Sequence, residues 1–129
     1  MARVSVFGLG YVGCVSAGCL AKEGHEVVGV DVASEKVDLV NRGSATIIED
    51  GVQELIATMV AAGRLRATTD VARAVAETDV SLVCVGTPSR ANGGLNLAYV
   101  ERVCTEIGEA IRAKGAIHTV VIRSTVLPG

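Results

Sequence analysis

The chain has 129 residues, the size of a single domain; half of them are hydrophobic and a fifth are charged. This composition excludes a disordered chain, and no run of about 18 uninterrupted apolar residues predicts a membrane span. The net charge of −2 provides no global positive field, so neither nucleic acid nor a membrane is an expected partner.

Hydrophobic periodicity predicts strands and helices that alternate along the whole chain. The predicted strands cover residues 3–7, 26–30, 65–68, 80–85 and 118–122. Between them we predict helices over residues 11–22, 34–40 and 70–76, one from Val52 towards Gly63, and a long one between Asn96 and Gly115. The predicted helix N-caps are Ser34, Thr69 and Asn96, and the predicted closing glycines are Gly24, Gly43, Gly63 and Gly115.

This alternation is typical of an α/β fold with a doubly wound parallel sheet, the Rossmann type. A full fold of this type has six strands in the order 3-2-1-4-5-6, and we count five. We therefore expect residues 1–129 to be an incomplete dinucleotide-binding domain, truncated after the fifth strand. The uncovered fifth strand predicts self-association, and we expect a homo-oligomer.

The first predicted strand runs into three glycines, Gly8, Gly10 and Gly13, in the pattern Gly-x-Gly-x-x-Gly. Gly8 permits a tight turn, Gly10 leaves room for a pyrophosphate, and Gly13 lets the following helix lie close to the strand. The free N–H groups and positive dipole end of that helix favour phosphate. The alternative is a tightly packed strand–helix turn without a ligand.

Asp31 ends the second predicted strand, 18 residues after Gly13. An acidic residue there accepts hydrogen bonds from ribose hydroxyls and repels a 2′-phosphate, which predicts NAD rather than NADP. The alternative role is a cap for the helix at Ser34. Lys36 follows closely and could reach the adenosine side of the cofactor, or could be an ordinary solvated lysine.

Two polar segments follow later strands, Gly86-Thr87-Pro88 and Arg123-Ser124-Thr125. Ligands of open α/β sheets bind at the carboxyl ends of strands, so Thr87 and Thr125 are candidates for cofactor contacts. The alternatives are a simple turn for the first segment and a polar strand end for the second, neither with a role in binding. His25 and His118 begin strands, at the opposite end of the sheet, and are interpreted as structural or exposed.

Four cysteines, Cys14, Cys19, Cys84 and Cys104, show no Cys-x-x-Cys spacing. We interpret them as small core residues in a reducing compartment, neither disulfide-bonded nor ligating a metal. A cytoplasmic location is therefore expected.

Several segments, in order and spacing, resemble the NAD-binding domain of the UDP-glucose/GDP-mannose dehydrogenase family. They are Phe7-Gly8-Leu9-Gly10-Tyr11-Val12-Gly13, Gly24-His25-Glu26-Val27, Val30-Asp31-Val32, Cys84-Val85-Gly86-Thr87-Pro88-Ser89 and residues 118–129. The last segment is most similar to the GDP-mannose branch of the family.

The resemblance implies oxidation of the C6 alcohol of a nucleotide sugar, GDP-mannose or UDP-glucose, to a carboxylate with two NAD. It assigns NAD contacts to these residues: Tyr11, Val12, Asp31, Lys36, Thr87 and Thr125. It also places Thr125, the candidate catalytic residue, near the reacting C6 and its water. The family's catalytic cysteine, its catalytic lysine and its substrate-binding residues match nothing here, so we expect this chain to bind NAD without converting sugar.

The chain departs from the family pattern in two places. The segment Pro-x-x-Glu-Pro-Gly reads Thr46-Ile47-Ile48-Glu49-Asp50-Gly51, without either proline, and Asn96 stands where the family has Asp. The lost prolines affect the expected rigidity of that loop and not the cofactor site.

Two other functions compete with this one. A stand-alone nucleotide sensor, like the Rossmann modules that regulate potassium transport, would fit the length but would not need Gly86-Thr87-Pro88 or Arg123-Ser124-Thr125. An NAD dehydrogenase of the 3-hydroxyacyl or 6-phosphogluconate type is the other alternative.

Overall fold

The computed structural model describes residues 2–9, 11–44, 51–84, 93–115 and 117–122. For residues 11, 12, 93–102 and 122 it describes the backbone alone. The predicted site residues Gly10, Thr87 and Thr125 lie outside the described residues, as does most of the departing segment at 46–51.

Five parallel strands form one sheet in the order β3-β2-β1-β4-β5, as the sequence predicts for a Rossmann-type α/β fold. The strands are β1 (Arg3–Phe7), β2 (Glu26–Val30), β3 (Leu65–Thr68), β4 (Val80–Val83) and β5 (Thr119–Ile122). The helices are α1 (Tyr11–Lys22), α2 (Ser34–Asn41), α3 (Val52–Ala61), α4 (Val71–Ala76) and α5 (Gly93–Lys114). Val4 pairs with both Val27 and Val80, which places β1 at the centre of the sheet.

The sheet carries a hydrophobic cluster on each face, because successive strand residues point to opposite sides. One cluster joins the sheet to α1, α2 and α3, and its members include Val4, Val6, Cys14, Ala17, Val37 and Ile56. The other joins the sheet to α4 and α5, and its members include Phe7, Val28, Val75, Val83, Val103 and Ile107. Burial on both faces explains why the strands are nearly continuous apolar runs.

Helix α1 ends at a glycine, as predicted. Gly24 has φ +104°, its N–H donates to the Ala21 carbonyl (3.1 Å), and the His25 N–H donates to the Leu20 carbonyl (3.2 Å). This pair of bonds is the Schellman motif, which satisfies the last carbonyls and needs a residue that tolerates positive φ. Gly43, Gly63 and Gly115 follow α2, α3 and α5 and also have positive φ.

The three predicted N-caps are wrong. Ser34 is the first residue of α2, and Ala33 occupies the cap without a side-chain bond. Asp70, not Thr69, caps α4, because its carboxylate accepts the Arg73 N–H. Helix α5 starts at Gly93, so Asn96 lies inside it.

The cysteine prediction holds in part. Cys14 and Cys84 are buried and Cys104 is half-buried, as expected of core residues, but Cys19 is exposed on α1. Within the described ranges, no group of three or more acidic, histidine or cysteine side chains could hold a metal, and no helix is both long and apolar enough to cross a membrane.

Strand β5 is shorter than predicted, since it begins at Thr119 rather than His118. It lies at one end of the strand order, and Val120 and Val121 are 38% and 45% exposed. The expected homo-oligomer stays a prediction. It rests on the exposed apolar side chains of Val120 and Val121 on this edge strand.

Three buried hydroxyls lie near the amino edge of the sheet, the side where the strands begin. The Ser5 and Ser81 oxygens are 2.7 Å apart across β1 and β4. The Thr78 hydroxyl lies 2.8 Å from the Ala74 carbonyl, and the Ser5 hydroxyl lies 3.3 Å from the Val80 carbonyl. These bonds stabilise polar groups that would otherwise be costly to bury.

His118 extends this network towards α5. Its Nε2 lies 2.7 Å from Ser81 Oγ, and its Nδ1 lies 3.2 Å from Lys114 Nζ. An ammonium group can only donate, so Nδ1 must be unprotonated and Nε2 must carry the proton. Lys114 also donates to the carbonyls of Val75 (3.2 Å) and Thr78, so His118 is held as a neutral ring beside a fixed positive charge.

We predict a pH-dependent stability from His118. Burial, and then the Lys114 charge, lower the pKa of His118 below its ordinary value of 6.5. The unfolded chain then binds more protons below pH 6.5, so the free energy of unfolding should fall as the pH drops through 6.5 towards the folded-state pKa. Urea unfolding between about pH 5.5 and 7.5 measures this slope.

His118→Gln is the control, because it removes the titrating ring, and its slope in this range should be shallower than that of the parent. The Arg3 hydrogen bond lowers the pKa of Asp79 below its ordinary range, so the contribution of that carboxyl is lost only at more acid pH. Equal slopes for the two proteins would contradict the prediction.

Candidate functional site

The glycine loop lies at the carboxyl edge of the sheet, the side where the strands end, between β1 and α1. Gly8 directly follows β1 with φ +98°, and its N–H donates to the Val30 carbonyl at the end of β2 (2.7 Å). The backbone of Tyr11 then begins α1. The loop therefore places the N-terminus of α1 at the carboxyl edge, as the glycine pattern predicts.

Gly13 lies against the backbone of Gly8. A Cβ atom built on Gly13 would overlap the Gly8 carbonyl oxygen and would lie 3.5 Å from the Cβ of Cys84. The predicted role of Gly13, close approach of helix and strand, is confirmed. The first turn of α1 can contact the end of β1 only because this residue has no side chain.

Asp31 directly follows β2 and is 9% exposed. Its Oδ2 accepts the N–H of Leu9, in the glycine loop, at 2.8 Å, and its Oδ1 accepts the N–H of Ala33 at 2.9 Å. The carboxylate thus joins two loops and does not cap α2, since Ala33 precedes the first helical turn. Each oxygen keeps lone pairs for further hydrogen bonds.

A small cleft of about 20 Å³ opens beside this carboxylate. It is lined by Phe7, Gly8, Val30, Asp31, Val32, Thr69, Val71, Val103 and Glu106. Val32 is 69% exposed, a large apolar surface next to a carboxylate. Asp31 and Glu106 both line the cleft, so an additional anionic group there would be repelled.

Lys36 lies in the first turn of α2 and is half-buried. In the part of the chain that the structure describes, its ammonium group makes no hydrogen bond or ion pair. The structure therefore leaves both interpretations of Lys36 open, the cofactor contact and the solvated lysine.

The structure brings three predicted site residues together: Gly8, Gly13 and Asp31. Tyr11 and Val12 are placed by their backbone, at the start of α1. His25 and His118 lie at the amino edge, as predicted. There the Nδ1 atom of His25 accepts the Ala2 N–H (3.0 Å), so neither ring belongs to this site.

Three residues that contact Asp31 or line its cleft were not predicted from the sequence: Leu9, Val32 and Glu106. Leu9 acts on Asp31 through its backbone N–H, which every residue except proline would provide, so its residue type does not signal this role. Glu106 is three residues after the buried Val103, and this spacing puts both on one side of α5.

Chemically, the arrangement suits a dinucleotide. Helix N-termini and glycine loops offer N–H groups to a pyrophosphate, and a carboxylate with free lone pairs accepts ribose hydroxyls. Gly8 and Gly13 provide the first feature and Asp31 the second, on the same side of the sheet.

We expect Gly13→Ala to destabilise the fold, because its methyl group would collide with backbone that cannot rotate away. The free energy of unfolding should fall by about 1–3 kcal/mol, as for other overpacked cores. Chemical denaturation measures the change.

Gly108→Ala is the matched control, since a Cβ at this position of α5 meets no atom within 4 Å. This change should leave stability unchanged or raise it by up to about 1 kcal/mol, because alanine favours helix. Equal stability of the two variants would contradict the proposed collision.

Residues 2–129 match the NAD-binding domain of the UDP-glucose/GDP-mannose dehydrogenase family. The chain is 58% identical over 127 residues to the GDP-mannose 6-dehydrogenase of Pseudomonas syringae pv. syringae, covering 98% of this chain and 29% of that protein. It therefore spans less than a third of the curated relatives that it matches.

Solved structures agree with this match. A ternary complex of GDP-mannose dehydrogenase from Pseudomonas aeruginosa superposes with a TM-score of 0.91 at 59% identity, over 98% of this chain and 29% of that one. A UDP-glucose dehydrogenase from Pyrobaculum islandicum gives 0.90 at 44% identity, over 100% and 30%. The cofactor of the domain is NAD, and the chain belongs to the UDP-glucose/GDP-mannose dehydrogenase family.

Proposed function

We propose that this chain binds NAD at the carboxyl edge of its sheet and forms the cofactor-binding portion of a nucleotide-sugar 6-dehydrogenase. The observation that carries the proposal is the position of Asp31. Its carboxylate is held by the glycine loop itself, through Leu9, and keeps lone pairs beside the cleft.

The pyrophosphate would lie against the glycine loop and the start of α1. The missing side chain of Gly10 leaves room for it, Gly8 permits the tight turn, and the N–H groups of Tyr11 and Val12 offer hydrogen bonds. The dipole of α1, a helix of 12 residues, adds partial positive charge at that end.

The adenosine ribose would bind to Asp31, with Lys36 on the adenosine side. The apolar surface of Val32 lies beside the carboxylate and suits a planar base. Two acidic side chains, Asp31 and Glu106, line the cleft, which supports discrimination against the 2′-phosphate of NADP.

For the reaction, we infer oxidation of the C6 alcohol of a nucleotide sugar to the carboxylate, with two NAD as hydride acceptors. GDP-mannose is favoured over UDP-glucose, because the chain is 58% identical to a GDP-mannose 6-dehydrogenase and 44% identical to the UDP-glucose dehydrogenase of Pyrobaculum islandicum. Thr87 and Thr125 would contact NAD, and Thr125 would also lie close to C6 and its water.

We predict that Asp31→Ala weakens NAD binding. A charge-assisted hydrogen bond contributes roughly 1.5–3 kcal/mol, so affinity should fall by about ten- to a hundred-fold. Discrimination against NADP should fall as well. Isothermal titration with each cofactor measures both effects.

Asp31→Asn and Asp38→Ala separate the possible causes. Asp31→Asn keeps one oxygen that can accept the Leu9 N–H, so it should support the loop while losing the charge that repels NADP. Asp38 is exposed on α2, and Asp38→Ala makes the same change in net charge away from the cleft. Unchanged NAD affinity in Asp31→Ala would refute the assigned role.

The activity requires a longer protein that contains this chain together with the rest of the family's length. With GDP-mannose, we expect two NADH per sugar oxidised and faster turnover than with UDP-glucose. Thr125→Ala should lower kcat, whereas Gly108→Ala should not. No NADH from either sugar would rule out the proposed reaction and leave NAD binding to be judged by titration.

A further inference from the structure

Leu9 anchors the glycine loop in the core. Its side chain is fully buried between the sheet and the helices on the α1 face, although its backbone lies in the loop. The side chain lies over Gly29 of β2. A Cβ atom at Gly29 would be 2.7 Å from Leu9 Cδ2, closer than real Cβ contacts allow.

The backbone of the same residue holds the acidic group of the site. The Leu9 N–H donates to Asp31 Oδ2 at 2.8 Å. Gly29 lies in β2, and Asp31 is the first residue after that strand. The end of β2 thus provides the surface under the Leu9 side chain, and the residue that follows it provides the acceptor for the Leu9 N–H. Leu9 is fully buried, so we expect pressure on its side chain to move its backbone as well, and a shift of that backbone changes the distance between the loop and the carboxylate.

We propose that Gly29 is a positioning residue for NAD: by leaving space for Leu9, it sets the glycine loop against Asp31. The inference rests on the proposed role of Asp31 in the cofactor site. Gly29 itself lies inside the sheet and has no side chain, so it acts through Leu9.

Gly18 of α1 provides a control for the effect of added volume on stability alone. A Cβ at Gly18 of α1 would be 2.8 Å from Leu55 Cδ2, almost the same intrusion as at Gly29. Neither glycine has a left-handed backbone, so alanine at either position tests space alone. Leu55 is on α3 and half-buried, away from the glycine loop, so its displacement should not move the loop.

The experiment compares Gly29→Ala with Gly18→Ala in the 129-residue chain. Three quantities are measured: the free energy of unfolding, the NAD dissociation constant, and the ¹H–¹⁵N resonance of the Leu9 amide without cofactor. Both variants should lose stability. Gly29→Ala should also move the Leu9 resonance and weaken NAD binding about tenfold or more, while Gly18→Ala should change neither.

Removing the collision should restore the site. In Gly29→Ala/Leu9→Val the δ-carbons that meet the new methyl group are absent, so part of the affinity and the Leu9-position amide shift should return. If Gly29→Ala does not fold, this double variant is compared with Leu9→Val alone, and equal NAD affinity of the two is then expected.

Normal affinity and an unmoved resonance in Gly29→Ala would overturn the proposal, and so would an equal loss of affinity in Gly18→Ala. If the parent chain bound no NAD, the proposed cofactor site would fail. The Leu9 resonance would still decide whether Gly29 positions the loop, because that measurement needs no cofactor.

Discussion

The close approach of α1 to the end of β1 is the constraint on which this domain depends. A side chain at Gly13 would overlap the Gly8 carbonyl, so the contact exists only because that side chain is missing. The approach lets the small residues Cys14, Ala17 and Ala21 pack against the sheet, where they are buried. It also places the N-terminus of α1 at the carboxyl edge, so core packing and the proposed phosphate site depend on one contact.

Burial of Asp31 would be costly for an ionised group without partners. Its two backbone donors, from Leu9 and Ala33, offset that cost and fix the direction of the carboxylate. These two bonds orient the acid. A group that is already ordered loses less conformational freedom on binding, so this arrangement favours affinity as well as stability.

The two edges of the sheet differ in how their polar groups are used. At the amino edge, Ser5, Ser81, His118 and Lys114 bind one another or nearby carbonyls, and the network closes on itself. At the carboxyl edge, Asp31 keeps lone pairs and the glycines leave space. Because chain direction is shared by all five strands, the loops that follow the strands collect at one edge, and this is the edge proposed to bind the cofactor.

The sequence alone determined the order of elements, the parallel sheet and the chemistry of the glycine loop and Asp31, because periodicity and glycine positions are local signals. It did not determine which residue caps each helix, since Ser34, Thr69 and Asn96 all have suitable side chains and the cap depends on where the backbone turns. Tertiary structure alone decided that Leu9 lies over Gly29 and donates to Asp31. That contact joins the glycine loop to the end of β2 and uses a backbone N–H, which leaves no signal in residue type. Gly29 indicates a close approach inside a strand but not which group approaches.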